Sequence, residues 1–165
     1  MNKIIVCLAF ILPFSVATAD TIKHNKQLAG HPATSVEKLW DLSKNKDGEV
    51  RETLGRNRKS PAGLLDKLAG DEDIHVRIAV ATNLSTTEKI FEKLAKDKEV
   101  EVRSVVARFE YVPEHILAIL ANDDVVDIRM EVARNLNTTN ATLQKLARDT
   151  YPEVRQIAKQ RMAQE

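Results

Sequence analysis

Cysteine is almost missing from this 165-residue chain: Cys7 is the only one, and it sits in an apolar leader that processing would remove. Without it disulfides, thiolate metal sites and a cysteine nucleophile are excluded together, and the fold must be held by packing alone. The five glycines, Gly30, Gly48, Gly55, Gly63 and Gly70, never cluster, so no glycine-rich loop is present to cradle a phosphate. No nucleophile-elbow sequence surrounds any serine. Of the four histidines, His24, His31, His75 and His115, no two stand four apart on one helix, so no metal or cofactor site is expected. His24 would be the fifth residue after leader removal, not the third that an amino-terminal copper site requires. A basic excess is missing as well: the formal charge is +1, and removing residues 1–19 takes away only Lys3 among the charges, leaving a balanced chain. That balance argues against a nucleic-acid footprint and against docking on anionic lipid. No apolar run beyond the leader could cross a membrane.

The leader itself has a short positive start at Met1-Asn2-Lys3, an apolar run from Ile4 to Phe14 and small residues at Ala17-Thr18-Ala19. This is the form of a secretory signal peptide, residues 1–19, which predicts a periplasmic or secreted protein cleaved near Ala19. Residues 20–33 have no periodicity and read as a flexible tail, with Ile22, Leu28 and the later Trp40 as candidates for covering the first structural unit.

From residue 34 the chain repeats. Arginine recurs every 26 residues at Arg51, Arg77, Arg103, Arg129 and Arg155; leucine keeps the step at Leu42, Leu68, Leu94, Leu120 and Leu146. So do Val50, Val76, Val102, Ile128 and Val154. A period of this length marks a stacked-repeat protein, here with units 34–59, 60–85, 86–111, 112–137 and 138–163. Each unit opens on a cap signal, Thr34, Ser60, Thr86 or Thr138, with Val112 as the failure of the column, and Pro61 and Pro113 suit a first helical position. Apolar residues then fall at helical spacing, as in Leu64, Leu65 and Leu68. A turn leads to a second helix, in which Val76 pairs with Val80 and Val102 with Val106 to form one buried stripe. Asn57, Asn83 and Asn135 are placed to end it in a left-handed conformation. Two helices of about ten residues and two turns fill the unit, leaving no room for a strand. The fold class is therefore all-α, a short solenoid of five two-helix repeats, none of which buries its core alone.

Six residues before each arginine, from the second unit on, stands an aspartate: Asp71, Asp97, Asp123 and Asp149. Carboxylate and guanidinium in register predict a structural ladder within or between repeats, and arginine can also bond free helix-end carbonyls.

The stretch from Val76 to Arg103, VRIAVATNLSTTEKIFEKLAKDKEVEVR, resembles the variant leucine-rich repeat, whose units run VR, VA, N, T, a leucine pair, LA and D. Its Asp to Val-Arg spacing is also similar to that of the longer HEAT repeats. The resemblance covers residues 34–163 and implies a right-handed superhelix of alternating α and short 3₁₀ helices. Some members of the family hold an iron–sulfur centre in an N-terminal cysteine cluster, which this chain does not match. Phe109 stands where the family has asparagine, Val112 where it has the cap, and Arg161 where the last unit should have asparagine.

Functional expectations come from the places where the repeats differ. The pair Asp66-Lys67, Glu92-Lys93 and Gln144-Lys145 becomes Ala118-Ile119 in the fourth unit, where Val112 and Val125 are also apolar and which Phe109 and Tyr111 precede. Apolar residues at positions polar elsewhere mark a partner surface, with aromatic side chains as anchors; the alternative is that Phe109 and Val112 simply repack a junction. The expected function is a non-enzymatic scaffold binding protein or peptide through Phe109, Tyr111, Ala118, Ile119 and Val125. The alternative is a ligand carrier or hydrolase using a groove carboxylate of raised pKa.

Overall fold

The computed structural model describes residues 14–164, with side chains from Ala19 onward, so most of the predicted leader lies outside the described residues. All the described elements are helical. Helix α1 (Phe14–Gly30) is followed by five pairs: α2 (Val36–Leu42) with α3 (Gly48–Arg56), α4 (Ala62–Leu68) with α5 (Ile74–Ala81), α6 (Glu88–Leu94) with α7 (Val100–Arg108), α8 (Glu114–Leu120) with α9 (Val126–Arg134), and α10 (Asn140–Leu146) with α11 (Pro152–Met162). The leucine and valine columns are the core: Leu39, Leu65, Leu94, Leu117, Val76, Val102 and Ile128 are all buried in one continuous cluster.

The second helices of successive pairs pack directly on one another, as α3 on α5 and α7 on α9. A column of small residues permits this. A Cβ on Gly55 would stand 2.9 Å from that of Ala79 and 3.3 Å from the Val76 carbonyl oxygen. Equivalent places are held by Ala29, Ala81, Ala107 and Ala133, all buried. The first helices are shorter than the expected ten residues, at seven each. They are bracketed by three-residue hydrogen bonds, such as Leu64 N–H to the Pro61 carbonyl at 2.8 Å and Asp71 N–H to that of Leu68 at 3.1 Å. Second helices also end on such bonds, as Asn57 N–H to the Leu54 carbonyl at 3.1 Å, so both helices of a pair tighten at the C-terminal end.

Three expectations need correction. Residues 20–33 are not a flexible tail: α1 runs to Gly30 and packs on α3, with Ala29 buried. In the 26-residue register Leu28 matches Leu54 and Ala29 matches Gly55, so α1 is a second helix without a first. Lacking a paired first helix, the segment shows no two-helix period, which hid it. Secondly, the Thr34, Ser60, Thr86 and Thr138 hydroxyls do not cap the helix ahead. The helix caps lie one residue on, at Ser35, Pro61, Thr87, Pro113 and Thr139, so the prolines precede the first helical residue rather than occupying it. The hydroxyls instead donate backward to the last turn of the preceding helix, Ser60 to the Leu54 carbonyl at 2.7 Å, Thr86 to Val80 at 2.6 Å and Thr138 to Val132 at 2.5 Å. Thirdly, no residue among those described has a positive φ. Asn57 and Asn135 end their helices in extended conformation, Thr82 rather than Asn83 caps the end of α5, and all three asparagine side chains bridge repeats.

The hydroxyl column makes a measurable prediction. Thr138→Val leaves the Val132 carbonyl with the Asn135 N–H alone, at 3.2 Å, and is expected to cost about 1 kcal/mol. Val112→Thr adds a hydroxyl donor to the Val106 carbonyl, which the Phe109 N–H already meets at 3.2 Å, and is expected to be neutral or stabilising. Chemical denaturation of both variants checks the pair, and equal losses would show that the hydroxyls are not helix-end donors.

Candidate functional site

Side-chain bridges tie each repeat to the next along fixed rows. Arg51 forks onto Asp71, Arg77 onto Asp97, Arg103 onto Asp123 and Arg129 onto Asp149, with Nε to Oδ2 distances of 2.7–2.8 Å. The predicted ladder therefore runs between repeats. Each Nη1 turns back within its own repeat, as Arg77 does to the Asp71 carbonyl at 2.8 Å. The carboxylates have a further task, since Asp97 Oδ1 accepts the Glu99 N–H at 2.9 Å. Arg155 bonds its own turn, Asp149 and Thr150 carbonyls both at 2.8 Å, with no following aspartate among the described residues. Asn45 replaces aspartate in the first repeat because α1 carries Asn25, not arginine, in that register.

The Asp149 carboxyl is held below its ordinary value, first by the Arg129 hydrogen bond, against the opposing effect of burial. At Asp71 burial is the largest influence and pushes upward, but hydrogen bonds from Arg51 and the Asp73 N–H prevail and the carboxyl is again lowered. Both shifts are those of ion-paired structural groups.

The asparagine row works differently. Asn83 Nδ2 donates to the Gly55 carbonyl at 2.6 Å and that of Asn57 at 3.1 Å; Asn135 reaches Ala107 at 2.8 Å and Phe109 at 3.1 Å. Asn57 reaches the Ala29 carbonyl of α1 at 2.7 Å, the bond that seats the half-repeat. Arg161 serves the row in the last repeat, bonding the Arg134 and Asn135 carbonyls at 2.8 and 2.9 Å. A lysine row joins the first helices: Lys67 to Ser43, Lys93 to Asp66 and Lys145 to Asn122. Phe109 interrupts the asparagine row, and Ile119 the lysine row.

The five residues expected to form one partner patch are not together. Phe109 and Tyr111 lie in the loop before α8 and form an edge-to-face pair at 5.6 Å, with Phe91 at 6.0 Å from Phe109. Ala118 and Ile119 are in the last turn of α8 and Val125 just before α9, at the opposite edge of the stack, about 10 Å away along the seven-residue helix. Phe109 and Val125 are half-buried against the core, whereas Tyr111 is 60% and Ile119 38% exposed. Clustering by repeat number grouped residues that the helix length separates. Leu84 and Leu136 were missed, although both are exposed, Leu136 at 82%. The signal was available, since their column reads Arg58 and Glu110 elsewhere.

A groove of about 790 Å³ opens between the turn that follows α8 and α10 and is lined by Asp124, Gln144, Lys145, Arg148, Asp149 and Tyr151. Tyr151 stacks under the Arg129 guanidinium at 5.6 Å. No cluster of three potential metal ligands and no helix long and apolar enough to cross a membrane occurs among the described residues.

No protein-family model and no curated protein matches the chain. Among solved structures it is similar to a leucine-rich repeat variant with a novel repetitive structural motif, at 26% identity and a TM-score of 0.62 over 78% of this chain. The helical repeat fold, an α-solenoid of the leucine-rich repeat variant kind, is thereby shown. The chain spans 51% of that protein's length. It is also similar to an engineered protein at 19% identity and a TM-score of 0.44, covering 85% of this chain and 86% of the other, a likeness that carries no argument.

Proposed function

We propose that the chain is an exported, non-enzymatic scaffold that binds a protein or peptide along its solenoid. The observation that carries this is the Phe109–Tyr111 pair: an aromatic side chain 60% exposed, on the loop between α7 and α8, at a position where other repeats have Lys59, Ser85 and Asn137. Exposed aromatics on preformed surfaces are the usual anchors of protein interfaces, and stacked repeats offer extended surfaces for them. Export rests on the leader alone. Cleavage after Ala19 would leave Asp20 at the start of the shortened α1, where negative charge suits the helix dipole.

The hydrolytic or ligand-carrying alternative asks for a groove carboxylate of raised pKa. In the groove beside α10 the displaced carboxylate is Asp149, and it is displaced downward.

Affinity capture from cell-envelope extract, with wild type, Tyr111→Ala and Ile119→Asp as separate baits, tests the proposal. A direct binder confirmed with purified components and weakened by one variant is the expected result. No stoichiometric binder for any bait would overturn it.

A further inference from the structure

One edge of the stack combines exposed basic and apolar side chains. The loops that end the second helices lie side by side along one edge: Ser85 Oγ donates to the Arg58 carbonyl at 3.0 Å, and Asn137 Nδ2 to that of Glu110 at 2.6 Å. Leu84, Tyr111 and Leu136 stand along this edge in successive loops, 45%, 60% and 82% exposed. Arg58, Lys59, Arg108 and Arg134 are exposed around them, with Glu110 as the acid within the loops. Arg134 is engaged at 3.4 Å by Glu131 of its own helix. The opposite edge, made of the turns inside each repeat, is mixed: Asp47, Glu72, Asp73, Glu99 and Asp124 stand among Lys44, Lys46, Lys96, Lys98 and Arg148.

We propose that the Leu84–Tyr111–Leu136 edge docks an acidic peptide segment in extended conformation, its apolar side chains meeting this row and its carboxylates meeting Arg58, Lys59 and Arg108. This rests on the scaffold reading above and names its partner. Charge complementarity selects an acidic occupant, and the apolar row requires side chains that can cover it. A second copy offers Val100, Ile119 and Tyr151 near its turn edge, 44%, 38% and 50% exposed, but Lys44, Lys46, Lys96, Lys98 and Arg148 stand among them and would meet the basic loop edge unfavourably. Spacing favours an extended chain. Packed helices repeat at about 8–10 Å, and a polyproline-II segment brings every third side chain back to one face after about 9 Å.

The probe is a short fluorescein-labelled peptide with leucine at every third place and glutamate and proline between, measured by anisotropy against the full chain. Its partner control has lysine for glutamate. The glutamate peptide is expected to bind at least about tenfold more tightly than the lysine peptide. Tyr111→Ser with Leu136→Ser should weaken it by about tenfold or more, and Arg108→Glu should weaken it and flatten its salt dependence. These surface changes should leave the melting curve in place. Equal binding of both peptides, indifference to the three substitutions, or absence of binding overturns the proposal. So does binding to vesicles of anionic phospholipid in preference to the peptide, which would assign the edge to a membrane surface. A partner captured from extract and retained by the Tyr111→Ser, Leu136→Ser variant would leave the scaffold reading standing and remove this one; failure of every capture would remove the scaffold reading itself.

Discussion

Asp97→Ala should be the most damaging exposed-turn substitution in the chain, costing about 3–5 kcal/mol and lowering the melting temperature by roughly 10 °C in a protein of this size. The neighbouring Lys98→Ala should change little, since the Lys98 side chain is 80% exposed and its contact with Glu99 is long, at 4.0 Å. The asymmetry follows from burial. Arg77 and Asp97 keep only 5% and 8% of their side-chain surface, and the guanidinium meets both carboxylate oxygens, at 2.7 and 3.0 Å. Removing the carboxylate leaves a cation that cannot leave its place, because its Nη1 is fixed to the Asp71 and Glu72 carbonyls. It also removes the acceptor for Glu99 N–H at the start of α7.

Position in the stack raises the cost. The junction between the second and third repeats lacks its asparagine bridge, because Phe109 stands in that row, so the buried Arg77–Asp97 pair is joined there by Lys93 and, at 3.8 Å, Lys89 on the partly exposed Asp66. In a one-dimensional stack each interface supports only its neighbours, and losing a central one leaves two short stacks. Asp97→Asn keeps the helix-start acceptor and one hydrogen bond to Arg77, and should fall between the two alanine variants. Thermal melts of the three variants decide the matter: coincident curves for Asp97→Ala and Lys98→Ala would mean that the buried pair adds nothing.

Legibility in the sequence tracked how strictly a column kept its residue type. Arginine, aspartate and the leucines recur without exception over several repeats, and they gave the period, the core and the ladder. Residues chosen for a backbone partner in another repeat were misread. A threonine before a helix looks like an N-cap, and an asparagine after one looks like a left-handed terminator. Local rules cannot see that the receiving carbonyl lies six residues back for Thr86 or in the neighbouring repeat for Asn83. The candidate surface suffered similarly. Tyr111 and Ile119 are eight residues apart in sequence, yet a helix between them places them on opposite edges. Val112 is fully buried, and Phe109 packs on Phe91 on one side while meeting Tyr111 edge-to-face on the other.

Ala29→Asp tests the other large misreading. Were residues 20–33 a loose tail, a carboxylate there would be solvated and the melting curve unchanged. As the closing half-repeat, α1 presents Ala29 in the small-residue column against α3, fully buried, with its carbonyl accepting Asn57 Nδ2. Thr34 Oγ1 also reaches back to the Leu28 carbonyl at 2.6 Å, as Ser60 does to Leu54. An unpaired carboxylate forced into that column should cost about 3 kcal/mol, unless α1 undocks first. Undocking sets the ceiling, because the loss cannot exceed what the docked helix contributes, and Leu54 and Val50 then lose their cover. The expected result is a fall in global stability together with faster amide exchange confined to α1 and α3. A surface control, Lys23→Asp, should leave both unchanged. Exchange rates in α1 already as fast in wild type as in the variant would restore the tail.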